Sequence, residues 1–156
     1  MLGHEAWSRA GAWVDRMTVA DGARCLTGGR RPAERNKGFF FAPTVLTEVP
    51  DNSRIMREEP FGPLAPIVTY RTQDDAIERA NSTPYGLAAN GFTASQSKAE
   101  ALSCGLHAGM VGINTFMIAH AEAPFGGVDH SGMGREGGRQ AINDYLNMKL
   151  THLMPA

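Results

Sequence analysis

Between Ala65 and Asn114 the sequence switches repeatedly from β-branched, aromatic stretches to helix-period stretches. Ala65 to Tyr70 (Ala-Pro-Ile-Val-Thr-Tyr) reads as a strand bounded by Pro63. Thr72 is a good helix cap, and Asp74 and Asp75 in the first turn complement the helix dipole. That helix is expected to reach about Asn81 and to bury Ala76, Ile77 and Ala80. Thr83-Pro84-Tyr85-Gly86 is a turn, and Leu87 to Thr93 is the next strand. Ser95 or Ser97 caps a second helix ending near Cys104-Gly105, and Val111 to Asn114 is a short buried strand. Strand, helix, strand, helix, strand is the order that builds parallel βαβ units.

The flanks are less regular. Residues 4 to 21 predict a helix, because Ala6, Ala10, Trp13, Val14 and Met17 share one face while Arg9, Asp15 and Arg16 mostly point elsewhere. Ala23 to Leu26 is a short strand ended by Thr27-Gly28-Gly29, and Arg30 to Lys37 is a polar surface loop. Phe39 to Phe41 is an extended aromatic run stopped by Pro43. Thr44 to Leu46 predicts a strand, and Ser53 to Glu58 a single helical turn before Pro60. Phe116 to Glu136 has no period and reads as loop; a compact domain rarely carries so long a loop without a functional reason. Arg139 to Tyr145 predicts a short helix. Leu146 to Leu153, apolar at 146, 148, 150 and 153, resembles a strand that needs a neighbour, in this chain or in another subunit.

Composition narrows the function. The chain has 156 residues, 42% hydrophobic and 20% charged, with a net charge of -1. That is one domain's worth of ordinary globular chain, too apolar for intrinsic disorder. Near-zero charge gives no electrostatic reason to expect a nucleic-acid partner. No run of about 18 apolar residues exists to cross a membrane. The first residues, Met-Leu-Gly-His-Glu-Ala-Trp, lack the basic and apolar regions of a secretory signal. Two cysteines, Cys25 and Cys104, are too few for a disulfide scaffold, so a reducing cytoplasm is expected and each reads as a small buried residue. The histidines His4, His107, His120, His130 and His152 show no metal spacing.

Clusters with chemical potential lie outside the regular elements. Glu58-Glu59-Pro60-Phe61-Gly62-Pro63 sets two carboxylates beside an aromatic ring and rigid prolines. A carboxylate held so can accept the two hydroxyls of a ribose while the ring packs on a flat heterocycle; the same residues also suit a turn with solvated acids. In Ala123-Pro124-Phe125-Gly126-Gly127 a proline-fixed aromatic precedes glycines that let backbone pass close to a ligand. Ser131-Gly132-Met133-Gly134-Arg135-Glu136-Gly137-Gly138 surrounds an Arg-Glu pair with glycine; Glu136 can relay protons if buried beside polar partners and is a solvated acid if exposed. Asn114 ends the Val-Gly-Ile strand, at the sheet end where parallel sheets bind ligands; it can donate to a developing oxyanion or satisfy a turn.

In this order the segments resemble the C-terminal third of the aldehyde dehydrogenase superfamily, over nearly the whole chain. The resemblance runs through Gly38 to Leu46, Glu58 to Pro63, Asn81, Tyr85 to Ala88, Phe92-Thr93, Gly109 to Asn114, Pro124 to Gly127, Ser131 to Glu136 and Tyr145 to Lys149. It implies an α/β fold: a truncated part of the catalytic domain over residues 1–145, with a mostly parallel open sheet and flanking helices, then an oligomerisation strand and tail over 146–156. It implies that Glu59 holds the nicotinamide-ribose hydroxyls of NAD or NADP and that Phe61 packs near the nicotinamide. Ile118 to Ala123 would form the substrate loop, with Ala119, His120 and Phe125 as substrate-binding residues. Glu136 would join a proton path, Asn114 would sit before the substrate loop as a second candidate catalytic residue, and residues 146–154 would pair across subunits of a homo-oligomer.

In such enzymes a cysteine thiolate attacks the aldehyde, hydride passes to the nicotinamide, and water releases the acid. The family's nucleophile cysteine, general-base glutamate and dinucleotide-binding domain belong upstream of this region, and no Gly-x-Gly-x-x-Gly occurs here. The expectation is therefore a segment that binds its dinucleotide only with that upstream domain and does not turn over alone. Succinate-semialdehyde dehydrogenases look most similar. Two departures bear on substrate: His120 stands where that subgroup often has serine, and Asp129 follows Pro-Phe-Gly-Gly-Val where lysine is common. The other reading is a non-catalytic remnant that uses residues 146–153 to bind a partner or itself.

Overall fold

A computed structural model describes residues 3–35 and 37–155. Asn36 of the expected 30–37 loop, the first two residues and the last residue of the expected tail lie outside the described residues. The chain is a mixed α/β protein that divides into two units, Met1–Thr72 and Gln73–Ala156.

The first unit is built on α1 (His4–Asp15), whose buried stripe is the expected one: Ala10, Trp13 and Val14, continued by Met17. The last turn, Arg16–Ala20, widens into a π-helix. Thr18 Oγ1 takes the Val14 carbonyl at 2.8 Å, and the Asp21 N–H bonds five residues back to the Arg16 carbonyl. A hydroxyl that captures a helical carbonyl competes with the regular ladder in this way. Gly22, at φ 75, then reverses the chain. Strands β1 (Arg24–Thr27), β2 (Thr44–Thr47) and β3 (Leu64–Pro66) form a sheet in that order, antiparallel then parallel. Trp13, Met17, Ala23, Leu46, Val49 and Ile55 make the core. Leu46 and Met17 are 0% exposed, each contributing about 1.5–3 kcal/mol of burial.

Strand β3 is shorter than the expected Ala65–Tyr70. The Ile67 N–H still reaches the Leu46 carbonyl at 2.7 Å, but β2 ends at Thr47 and Glu48 turns away at φ 55. Residues after Pro66 are therefore outside the β2–β3 ladder. The expected turn at 53–58 narrows to a 3-10 helix, Arg54–Met56.

The second unit begins with α2 (Gln73–Ala80), in which Ala76 and Ile77 are half-buried and Ala80, expected inside, is exposed. The expected strand at 87–93 is β5 (Ala88–Gly91), and the expected turn at 83–86 holds a further short strand, β4 (Tyr85–Gly86), with Leu87 between the two. Ser95 is the helix cap that the sequence left open with Ser97, accepting from the Lys98 N–H at 3.4 Å. Helix α3 (Gln96–Gly105) connects β5 to the parallel β6 (Met110–Ile113), a βαβ unit as expected. Asn81 ties the ends of α2 and α3 together, donating to the Gly105 carbonyl at 2.7 Å and accepting from the His107 N–H at 2.8 Å.

The expected mostly parallel open sheet is not one sheet here. The strands form the three-stranded sheet, a parallel β5–β6 pair and an antiparallel pair of β4 with β7 (Val128–Asp129). The chain changes ladders at Leu87, so β4 and β5 serve different partners. The expected helix at 139–145 is a 3-10 helix, Gln140–Tyr145. Residues 146–155 form no ladder, contrary to the expected strand at 146–153, and all are exposed. Among the described residues no strand pairs with them. Cys25 is half-buried, but Cys104 is exposed on α3 rather than buried. No helix among the described residues is long and apolar enough to cross a membrane.

Candidate functional site

The aperiodic stretch after β6 is organised by one reciprocal contact. The Phe125 N–H donates to the Glu136 carbonyl and the Glu136 N–H to the Phe125 carbonyl, each at 2.7 Å. This bridge closes the loop that contains β7. The Ala123 N–H bonds to the His120 carbonyl, and the Gly138 N–H to the Ala121 carbonyl at 2.9 Å, so residues 120–123 are drawn against the glycines after Glu136. Gly137 permits this approach: at φ 64, a Cβ there would stand 2.6 Å from the Ala123 carbonyl oxygen. The result is a cleft of about 380 Å3 lined by Ala119, His120, Ala121, Phe125, Glu136 and Gly137.

The structure thus brings together Ala119, His120, Phe125 and Glu136, residues from the two ends of one aperiodic loop. His120 is exposed, and its Nε2 lies 3.1 Å from the Met117 carbonyl. A carbonyl only accepts, so Nε2 carries the hydrogen. Glu136 is exposed in the chain and Phe125 half-buried. A second cleft of about 380 Å3 shares Phe125 and Glu136 and adds Ser131, Arg135, Asp144 and Tyr145. Ser131 and Arg135 belong to the glycine-rich cluster read from sequence, whereas Asp144 and Tyr145 were not site candidates. The glycine clustering around Ser131 and Arg135 was the signal available, and it marks close approach without saying of what.

Asn114 lies elsewhere in the same unit, at φ 58 just past β6. Its Oδ1 accepts from the Thr93 N–H at 2.8 Å, and its Nδ2 donates to the Thr93 carbonyl at 2.9 Å. Of the two roles left open for it, the side chain fills that of satisfying a turn, latching the segment after β5 to the end of β6.

Glu59 and Phe61 belong to the first unit. Glu58 is held by Arg54, with Nε at 2.7 Å and Nη2 at 2.6 Å. That hydrogen bond, and in smaller part the guanidinium charge, hold the Glu58 carboxyl below the usual range. Glu59 is exposed and has no hydrogen-bond partner among the described residues. Phe61 is 71% exposed at φ 45, a left-handed conformation that is strained for an aromatic residue. An unengaged carboxylate two residues from a solvent-facing ring fits a ribose diol joined to a flat heterocycle. Among the described residues no group of three or more His, Cys, Asp or Glu is arranged to hold a metal ion.

A model of the aldehyde dehydrogenase family matches residues 1–151. The chain belongs to that family. It is 48% identical over 128 residues to the 3-sulfolactaldehyde dehydrogenase of Pseudomonas putida, which covers 82% of this chain and 26% of that protein. It is 44% identical over 128 residues to the NADP(+) succinate-semialdehyde dehydrogenase of Escherichia coli, with the same shares. A crystal structure of betaine aldehyde dehydrogenase from Staphylococcus aureus in complex with NAD+ superposes with a TM-score of 0.85 at 37% identity, over 92% of this chain and 28% of that one. This aldehyde dehydrogenase chain spans about a quarter of the length of the curated relatives it matches.

Proposed function

We propose that this chain is the C-terminal segment of an NAD(P)-dependent aldehyde dehydrogenase that oxidises an aldehyde to a carboxylic acid. The observation that carries the reading is the convergence of Ala119, His120, Phe125 and Glu136 on one cleft. Phe125 offers the aldehyde's carbon chain an apolar wall, and His120 offers a polar group for the far end of a short substrate. Glu136, exposed in this chain, would pass a proton between the cleft and solvent. Glu59 would accept the ribose hydroxyls and Phe61 would pack on the nicotinamide of NAD or NADP, which supplies the two-electron acceptor when bound. Two relatives act on short aldehydes that carry an acidic group, by their names a sulfolactaldehyde and succinate semialdehyde. That supports an anionic aldehyde, succinate semialdehyde among them, as substrate.

The chain by itself is not expected to turn over, because positioning without a nucleophile leaves the hard step uncatalysed. Residues 146–154 are expected to pair with a second subunit, as an exposed run with alternating apolar side chains suits strand addition.

The test is the intact mass of the protein from its native host, recovered with an antibody against residues 146–154. A species several times heavier than 16.8 kDa is expected. A species at 16.8 kDa would overturn the segment reading and favour a stand-alone module that binds a partner through the same residues.

A further inference from the structure

The bridge between Phe125 and Glu136 is a single pair of hydrogen bonds with glycines on both sides, Gly126-Gly127 and Gly137-Gly138. Glycine loses more conformational freedom on ordering than any other residue, so such a bridge does not hold its own loop closed. The β4–β7 pairing holds the middle of the loop, and two side chains hold its ends. Arg135 Nη1 donates to the Gly127 carbonyl and to the Gly134 carbonyl, each at 2.7 Å, bracketing the loop at both ends. Asp144, from the 3-10 helix Gln140–Tyr145, accepts the Arg135 backbone N–H on Oδ2 at 3.0 Å. Hydrogen bonds with an ionised partner are about twice as strong as neutral ones.

The glycines make room for both residues. A Cβ on Gly126 would stand 2.9 Å from Arg135 Cδ, and one on Gly134 would stand 2.9 Å from Asp144 Oδ2. Gly134, at φ 86, also turns the chain as few other residues can. Arg135 and Asp144 both line the second cleft beside Glu136.

We propose that Arg135 and Asp144 are positioning residues: they clasp the loop over residues 127–134 and so set where Phe125 and Glu136 stand in the cleft. The functional meaning of that placement rests on the proposed reading of the cleft. The experiment below does not, because it reads the bridge itself.

Backbone hydrogen exchange is measured on the full chain. Asp144→Ala should speed exchange at the Phe125 and Glu136 amides about tenfold while leaving the β5–β6 amides unchanged, since one charge-assisted bond is removed locally. Asp144→Asn, which keeps an acceptor oxygen, should return both amides to within about threefold of the parent. Arg135→Lys keeps the charge but its shorter side chain stops short of the two carbonyls that Nη1 reaches, and should speed the same amides. Should Asp144→Ala not fold, the Asp144→Asn and Arg135→Lys comparison decides on its own. Unchanged exchange at Phe125 and Glu136 in Arg135→Lys, or acceleration spread equally over Met110–Ile113, would overturn the clasp. Asp144→Asn behaving as Asp144→Ala would do the same.

Discussion

Glu58 and Glu59 are adjacent and chemically alike, yet their surroundings divide them. Arg54, whose guanidinium also lies 5.1 Å from the centre of the Trp13 ring, engages Glu58 and not Glu59. Because the folded Glu58 carboxyl is lowered, its contribution to folding is present above the pH where a free glutamate titrates. That contribution is lost as pH falls through the folded value. Carboxyl-carbon NMR titration should place Glu58 below an ordinary glutamate, and Arg54→Gln should return it to that range. The pair is exposed, so melting should barely change. His120 offers a second test at this scale. With Nε2 engaged by Met117, a neutral ring presents Nδ1 only as an acceptor, and the protonated ring is needed to offer a second N–H to a carboxylate. In the assembled dehydrogenase, His120→Ala should raise KM for a short aldehyde bearing a carboxylate by about tenfold, the weight of one charge-assisted hydrogen bond. An uncharged aldehyde of equal length should show little change; equal effects on both would remove His120 from substrate recognition.

Among elements, approach distances matter more than period. Strand β6 is entered from Gly109, where a Cβ would collide with the Gly126 carbonyl oxygen. Gly109→Ala should therefore cost about 2 kcal/mol or more in urea unfolding, since backbone rather than a flexible side chain must yield. In the first unit, β2 is the central strand of its sheet and Leu46 its most buried side chain. Leu46→Ala should cost about 2–5 kcal/mol by the same measurement, the usual range for emptying a packed aliphatic site. A loss under about 1 kcal/mol would mean the core relaxes around the cavity.

For the whole molecule, burial is uneven. The core cluster lies entirely in the first unit, whereas the second exposes Phe116 (76%), Tyr145 (84%) and Leu150 (93%) among its larger apolar side chains. Exposed apolar faces of that kind call for a cover. The isolated chain is expected to self-associate, and Leu150→Asp to shift it to smaller species in size exclusion with light scattering. A monodisperse monomer with a sharp two-state melt would refute this. What was legible beforehand follows the same division. The α1 stripe, the β5–α3–β6 unit and the order of the site motifs could be read because each is set by local period or local capping. The strand inside the expected 83–86 turn, the early end of β3 and the exposure of Cys104 depend on which neighbour each segment meets.

By itself the sequence determined the family, the alternation of strand and helix, and the residues around which a site could form, since side-chain chemistry and short-range spacing are written along the chain. Only the tertiary structure decided that His120, Phe125 and Glu136 share a cleft, that Asn114 spends its amide on Thr93, and that Arg135 and Asp144 close the loop between Phe125 and Glu136. Those outcomes depend on how close two distant stretches of backbone come, which the glycines permit and the long-range hydrogen bonds set.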